Sequence, residues 1–308
     1  MNKFLVIFIF LSLINNSISQ SSEISIKFKV DGEIITNLDI LDEKNYLIFL
    51  RPKLSSLSDN ELQKISQESL IREIIKTKEL NKVFKNLNSE NLTIDIKKRI
   101  FKFKNVNTEE EFVKLTKKGG VEYKKVLQKI KIEGLWNELI FRKFNGLIKI
   151  DKEAFKDELK RNISNNKKFE YNLSELLFDI GGNEKYEIKY KKIVEFLKKN
   201  DFKLAATKFS ISNSSERGGE IGWVKETLLS EELSKKLKTL EIGQISKPIK
   251  YPNGYLILKI NEKKEMKQKI DINKELNEKI MFEKNKQLNQ FSLLYYKKLK
   301  QNTKVDEY

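Results

Sequence analysis

The fold of this chain is decided by residues 204–260, which read LAATKFSISNSSERGGEIGWVKETLLSEELSKKLKTLEIGQISKPIKYPNGYLILKI. Three motifs follow one another here: GGEIGW at 218–223, LEIGQISKPI at 240–249 and NGYLILKI at 253–260. The first two each follow a short helical pattern, and the third has the apolar content of a buried strand. A single GG or GQ pair is weak evidence for any one fold. Three motifs in this order are much less frequent by chance and therefore indicate one particular fold.

The order and spacing of these motifs resemble the parvulin domain, a small peptidyl-prolyl cis/trans isomerase fold. The resemblance implies that residues 169–262 form a small antiparallel sheet packed by helices. The predicted strands are 171–178, 220–224, 245–249 and 254–260, and the predicted helices lie near 186–197, 204–209 and 233–240.

The positions that carry catalysis in parvulins are changed in this chain. Active members typically have a His on the first strand, a His on the last strand and a Cys or Asp on the loop between them. These positions fall on Glu175, Leu256 and Ser212, and the chain contains no His. The resemblance therefore implies a parvulin fold of doubtful catalytic competence.

The residue types point the same way. A solvated Glu175 at the rim of the cleft is favoured over a hydrogen-bond acceptor within it. Ser212 belongs to a Ser- and Asn-rich loop, which local side-chain to backbone bonds explain. Leu256 can neither donate nor accept a hydrogen bond. We therefore expect that the polar network of the site is lost.

Prolyl isomerisation has to overcome a barrier of about 18–20 kcal/mol that arises from amide resonance, and it requires neither a nucleophile nor a cofactor. An apolar pocket that favours the twisted amide can lower that barrier. The resemblance implies that Ile221, Leu229 and Leu233 line such a pocket, with Tyr251 as a further candidate peptide contact. Simple core packing explains these apolar positions equally well.

The composition excludes several classes of site. The chain has 308 residues with no Cys and no His, which excludes disulfides, thiolate or imidazole metal ligands and the usual serine triad. The net charge of +17 comes from 61 basic and 44 acidic residues that are interleaved along the chain. This pattern favours a solvated basic surface over a nucleic-acid site, with a weak preference for acidic partners or anionic membranes as the alternative.

The N-terminus has the pattern of a secretory signal peptide. Lys3 precedes an apolar run at 4–14, which is shorter than the roughly 20 residues that span a bilayer. Ser17 and Ser19 place small residues ahead of a cut before Gln20. We expect an exported, soluble mature protein, and an uncleaved anchor is the less favoured alternative.

The N-terminal half is predicted to be mainly helical. Residues 24–36 alternate apolar and polar residues around Asp31 and Gly32, which predicts a β-hairpin. Thr108 and Glu111 predict a capping box. The predicted helices are 37–49, 59–80, 91–102, 109–118, 123–144 and one that opens near 148–155, and 51–58 is predicted to be a loop.

This succession resembles the N-terminal domain of the SurA-like periplasmic chaperones. The resemblance is carried by VDGEIITNLD at 30–39, by Phe112, Leu115 and Tyr123 around the glycine pair at 119–120, and by IDKE at 150–153. It covers essentially the mature chain, although there is room for one parvulin domain where many relatives carry two.

Residues 270–299 predict a long helix, and Val305 lies in a short possible strand. In the SurA-like family the C-terminal segment packs back on the N-terminal domain. The predicted fold class is therefore α+β, with a mainly helical N-terminal chaperone module that is completed by a C-terminal helix and has one inserted parvulin domain. The predicted division is a signal peptide at 1–19, a helical domain at 20–168, a parvulin-like domain at 169–262 and a C-terminal helix and tail at 263–308.

The resemblance implies a periplasmic chaperone that binds unfolded outer-membrane protein segments and proline-containing peptides. We expect these segments to be held in an apolar groove between the helical module and the parvulin domain. An active isomerase that assists the folding of exported proteins is the first alternative, and a non-catalytic adaptor for a folded partner is the second. No cofactor, metal, nucleic acid or stable membrane insertion is expected.

Overall fold

The computed structural model confirms the α+β class. It describes residues 23–84, 90–163, 168–180, 185–266 and 271–308, so the predicted signal peptide lies outside the described residues. The helices are α1 (Asn37–Leu50), α2 (Asp59–Val83), α3 (Glu90–Lys104), α4 (Glu109–Lys118), α5 (Tyr123–Phe144), α6 (Lys152–Ile163), α7 (Tyr186–Leu197), α8 (Phe202–Phe209), α9 (Glu231–Lys238) and α10 (Ile272–Gln301). The strands are β1 (Ile26–Val30), β2 (Glu33–Thr36), β3 (Phe169–Phe178), β4 (Glu220–Lys225), β5 (Ile249–Tyr251), β6 (Gly254–Glu265) and β7 (Val305–Glu307).

None of the helices in the described part of the chain combines the length and the apolar character that crossing a bilayer requires.

The predicted hairpin is present as β1 and β2. Asp31 and Gly32 both have positive φ, at 46° and 97°, which suits the two-residue turn between twisted antiparallel strands. Strand β7 pairs with the other edge of β1, so this sheet has the order β2-β1-β7. The first strand of the module is therefore paired on both sides, once by its neighbour and once by the C-terminal strand.

Side-chain caps fix the starts of several module helices. Thr36 and Asp39 form a capping box at α1, and Ser58 and Glu61 form one at α2. The predicted capping box at α4 is only half right, because Thr108 caps the helix but the Glu111 carboxylate accepts from the Asn107 backbone N–H instead.

Helix α10 completes the core of the helical module. The Trp136 indole on α5 is fully buried, donates to the Ser292 hydroxyl at 2.8 Å and stacks on Tyr295. The Phe144 and Phe291 rings stack with centroids 5.1 Å apart. Helix α10 therefore supplies much of the apolar surface against which α5 packs.

The second sheet is antiparallel with the order β4-β3-β6-β5 and lies between two apolar clusters. Helices α7 and α8 cover one face. Helix α9 covers the other face, where Leu237 is fully buried.

The predicted strand at 245–249 is wrong except for Ile249. Ile245 makes one isolated bridge with Lys259, and regular pairing begins only at Ile249. The Ser246 hydroxyl, rather than a backbone carbonyl, accepts from the Leu258 N–H, and Pro248 has no N–H to donate. The segment follows β6 without forming a ladder.

The two ends of the second sheet meet. Lys168 precedes β3, Met266 follows β6, and the Met266 N–H donates to the Lys168 carbonyl at 2.8 Å. Termini this close allow a domain to be inserted into another with little strain. The exact domain boundaries remain a prediction.

We expect the helical module to fold without the second sheet. The test joins Lys168 to Met266 through a short Gly/Ser linker, which removes Trp223 and leaves Trp136 as the single Trp. Phe282 and Leu293 are changed to Ser because they pack on the removed sheet. The expected result is a cooperative thermal transition by circular dichroism and blue-shifted Trp136 emission.

The same shortened chain with Trp136→Ala serves as the control and should lose about 3–5 kcal/mol of stability. An aggregated product, or emission typical of a hydrated indole, would contradict the insertion.

Candidate functional site

The centre of the candidate site is a carboxylate held by two serines. The Ser212 and Ser214 hydroxyls donate to the same Glu175 carboxylate oxygen, at 2.5 and 2.8 Å. Glu175 lies in the middle of β3 and is half-buried. The expectation of a merely solvated carboxylate is therefore wrong, because Glu175 accepts hydrogen bonds across the site.

The serine loop is fixed against β3 by further hydrogen bonds. The Leu177 N–H donates to the Ser210 hydroxyl at 3.1 Å, and the Ile211 N–H donates to the Leu177 carbonyl at 2.7 Å. Ser212 then caps a short 3₁₀ helix, Asn213–Arg217, by accepting from the Ser214 N–H. The predicted hydrogen bonds between serine side chains and the loop backbone are therefore present. They also orient the Ser212 and Ser214 hydroxyls toward Glu175.

The glycine pair at 218–219 has a steric reason. Gly219 has a φ of +79°, and a Cβ built on it would lie 2.2 Å from the Glu175 carbonyl oxygen. The Glu175 N–H donates to the Gly219 carbonyl at 2.8 Å. The absence of a side chain at Gly219 therefore lets the loop approach β3 and sets the position of Glu175.

The third position of the polar centre is apolar in the structure as well. Leu256 on β6 lies opposite Leu177, is 4% exposed and belongs to the cluster under α9. The expected loss of the polar network is thus correct for Leu256 only, while Glu175 and Ser212 form a new one.

The predicted peptide contacts fall into two groups. Leu229, Leu233 and Tyr251 lie in or against the same apolar cluster as Leu256. Ile221 is 39% exposed and has no cross-strand partner, because Gly222 and Glu220 pair with consecutive residues of β3. The structure therefore brings three of the four residues together and leaves Ile221 apart from them.

A cavity of about 500 Å³ lies elsewhere, between the helical module and the second sheet. None of the predicted site residues lines it. Its acidic lining residues are Glu43, Glu61, Glu68, Glu73, Glu133 and Glu216. Its basic lining residues are Arg51, Lys64, Arg72, Lys129, Lys189 and Lys208. The cavity at this junction is therefore mixed rather than purely apolar, because charges of both signs line it beside apolar side chains such as Leu47, Ile65 and Phe209.

Ion pairs and hydrogen bonds across this junction hold the two parts together. The Arg51 guanidinium donates to the Thr207 hydroxyl and to the Ser215 carbonyl, both at 2.8 Å. Lys53 pairs with Asp201 at 2.7 Å, and Lys208 pairs with Glu61. The same segment that carries Ser212 therefore contacts the module through Ser215.

The cavity shifts the pKa values of several side chains. Burial raises the pKa of the Glu43 carboxyl, although Lys129 acts in the opposite direction. Burial and the nearby Glu216 raise the pKa of Glu133, against the opposing effect of Lys76. Burial also lowers the pKa of the Arg51 guanidinium below its ordinary value. The charged side chains that line the cavity come from α1, α2, α5, α7, α8 and the 3₁₀ helix Asn213–Arg217. Because these elements are far apart in the sequence, no motif predicted the cavity.

Within the described ranges, no three acidic side chains converge in a way that could hold a metal ion. The Ser212 hydroxyl faces a carboxylate and has no imidazole to take up its proton. The arrangement can therefore bind a peptide through hydrogen bonds and apolar contacts.

Comparisons with known proteins point to one domain type. The model of the rotamase family, the PPIC-type PPIase domain, matches residues 179–262. The chain is 41% identical over 64 residues to the chaperone SurA of Pseudomonas putida, covering 21% of this chain and 15% of that protein. It is 29% identical over 324 residues to the periplasmic chaperone PpiD of Buchnera aphidicola, covering 95% of this chain and 48% of that protein.

PEB4 and Cj1289 are two structurally related SurA-like chaperones of Campylobacter jejuni. The solved structure described under these two names is 16% identical in sequence to this chain, with a TM-score of 0.36. That match covers 92% of this chain and 99% of that one. The chain spans about half or less of the length of the two curated relatives named above.

Removal of the central carboxylate should destabilise the second sheet. In Glu175→Ala, the Ser212 and Ser214 hydroxyls lose their shared acceptor, and Ser214 keeps only the longer bond of 3.1 Å to Ser212, which should lower the free energy of unfolding by about 1–3 kcal/mol. The matched control is Glu262→Ala, an exposed carboxylate on β6 that accepts from the Asn172 amide at 3.0 Å. Urea unfolding of both variants is measured in a Trp136→Phe background, in which Trp223 is the single Trp and reports on the second sheet, and equal losses would show that the Glu175 bonds add nothing.

Two glycine substitutions separate steric collision from backbone strain. Gly222 has a φ of +88° with nothing near a built Cβ, so Gly222→Ala should cost about 1–2 kcal/mol from the left-handed backbone alone. Gly219→Ala adds a collision with the Glu175 carbonyl and should cost a further 1–3 kcal/mol or so. The two unfolding free energies give the comparison, and a smaller loss for Gly219→Ala would contradict the packing argument.

Proposed function

We propose that this chain, which carries a PPIC-type domain and is homologous to the SurA and PpiD chaperones, is an exported chaperone with weak or no isomerase activity. It holds unfolded proteins in the periplasm, and its clients are segments of outer-membrane proteins, including proline-containing ones. The apolar run at 4–14 directs its export.

The observation that carries this proposal is the content of the PPIC-type site. The Glu175 carboxylate is occupied by two serine hydroxyls, and Leu256 is buried among apolar side chains. One oxygen of the Glu175 carboxylate already accepts two hydrogen bonds, and Leu256 can form none, so a bound peptide meets few groups that could stabilise a twisted amide. Binding without efficient catalysis is the behaviour of a holding chaperone.

Exposed apolar side chains near the N-terminal hairpin support client binding. Ile24, Ile34 and Leu41 are each more than half exposed. Leu38 on α1 is 37% exposed and is next to Leu41 on the helix surface. Exposed apolar patches of this kind mark surfaces that contact other proteins.

The first alternative is an active isomerase, and one observation favours it. Two of the three altered positions, Glu175 and Ser212, are in direct contact and retain a polar pair at the site. Isomerisation requires only binding that is stronger for the twisted amide than for the planar one.

One pair of assays distinguishes these functions. A denatured outer-membrane β-barrel protein is diluted with or without the mature chain, and its aggregation is followed by light scattering. Isomerisation of a proline-containing tetrapeptide is followed in a protease-coupled assay with the same protein preparation. We expect suppressed aggregation together with weak or undetectable turnover.

Glu175→Ala and the control Glu262→Ala should suppress aggregation as the unmodified chain does. Robust turnover that Glu175→Ala abolishes and Glu262→Ala retains would favour the isomerase. Failure of the chain to suppress aggregation would favour an adaptor for a folded partner.

A further inference from the structure

Helix α10 packs on the face of the PPIC-type domain that carries the predicted peptide contacts. Phe282 and Leu293 pack against the apolar cluster that includes Leu229, with Leu233 and Tyr251 at its edge. The two α10 side chains are eleven residues apart, or about three turns, so they project from the same side of the helix.

Polar contacts fix the start of α10 on the same domain. Lys225 on β4 pairs with Glu275 at 2.6 Å and with Glu278 at 2.5 Å. The Thr227 hydroxyl donates to the Glu275 carboxylate at 2.5 Å, and Glu275 is 4% exposed. The interface between α10 and the PPIC-type domain therefore has an apolar part and a charged part.

Further along the helix, α10 meets the candidate site. The Gln290 side chain makes a hydrogen bond with the Tyr251 hydroxyl, and Tyr251 packs on the same apolar cluster as Phe282 and Leu293. Burial, followed by the charges of Glu175 and Glu283, raises the pKa of Tyr251 to about 12. The α10 helix thus extends from Lys225 to Tyr251, and its Phe282 and Leu293 side chains occupy this side of the cluster.

The opposite side of α10 is held by the helical module. Ser292 accepts from the Trp136 indole, and Phe291 stacks on Phe144. The PPIC-type domain is covalently joined to the module next to Lys168 and Met266. A rotation away from α10 would also have to break the junction contacts, which include the Arg51 hydrogen bonds and the packing of Leu204 on Leu54. Such a rotation would uncover both the cluster and the Phe282–Leu293 side of the helix.

We propose that this face of the PPIC-type domain binds amphipathic segments of unfolded clients, and that α10 is its internal occupant. The inference rests on the function proposed above. The chemistry of α10 defines the client: an aromatic or aliphatic stripe that fills the cluster, with acidic side chains placed to meet Lys225. Client binding and α10 seating are then mutually exclusive.

The first test locks α10 in place. Because the chain has no Cys, Lys225→Cys with Glu278→Cys gives two unique thiols, which a short bismaleimide joins across the former ion pair. The probe is a fluorescent synthetic peptide of residues 272–301. The cross-linked chain should bind it at least about tenfold more weakly than the same double variant before cross-linking, a difference of 1.4 kcal/mol. Equal affinity before and after cross-linking would overturn the proposal.

The second test loosens α10. Phe282→Ala with Leu293→Ala removes two seated side chains and should strengthen peptide binding by several fold. The matched control is Met281→Ala with Leu294→Ala, which changes the neighbouring residues, 65% and 53% exposed. The control should bind the peptide as the unmodified chain does, and equal behaviour of both variants would count against α10 as the occupant.

A third readout does not depend on any client. Leu233→Cys places a single thiol beside the cluster, and its rate of reaction with a maleimide reports whether the face is covered. The rate should rise in the loosened variant and not in its control, and an unchanged rate would contradict the covering role of α10. If the rate rises but the unmodified chain does not suppress aggregation, the occupant assignment stands and the proposed chaperone function fails.

Discussion

Helix α10 has to bury two of its sides at once, and the arrangement of the rest of the molecule depends on this constraint. One side meets the module through Trp136, and the other meets the second sheet through Phe282 and Leu293. A helix with a single apolar stripe could serve only one of these cores. The apolar residues of α10 are therefore spread around the helix, and its charged residues are partly buried, as Glu275 and Lys279 show. Because both cores share one element, the second sheet without α10 leaves exposed the part of its apolar cluster that Phe282 and Leu293 cover.

The charge of the chain has a different role from the one that its total suggests. A net charge of +17 would suit a nucleic-acid partner, but many of the basic side chains are paired within the fold. Across the junction of module and sheet, Lys53 and Lys208 pair with Asp201 and Glu61. Exposed pairs of this kind contribute roughly 0–1 kcal/mol each and are screened by salt. The same junction also contains a buried apolar cluster, in which Leu204 of α8 packs with Leu54 and Leu62 of the module. Burial of such side chains contributes more than the ion pairs do, at about 1.5–3 kcal/mol each.

Much of this architecture could be predicted from the sequence, because the apolar period and the glycine positions are local signals. The hairpin at Asp31–Gly32 and the loop at Gly218–Gly219 follow from backbone conformations that favour glycine. The strand expected at 245–249 failed because Ser246 replaces a backbone acceptor with its side chain, which alternation of residue types does not reveal. The Glu175 network was missed because its partners, 37 and 39 residues downstream, become neighbours only when the loop folds against β3. The charged cavity was missed for the same reason, since its lining is dispersed over several helices.

The pairing of β1 with β7 also determines the order in which the protein can assemble. Val30 and Val305 are 275 residues apart in sequence, so the far edge of β1 has no partner until the strand at 305–307 has emerged. During synthesis the strands of the PPIC-type domain can pair earlier, because they all lie between residues 169 and 265. The module, whose core needs α10, is the last part to close. An unpaired strand edge is a site of association with other chains. The nascent protein therefore passes through a stage in which it has the same vulnerability as the unfolded proteins that it is proposed to hold.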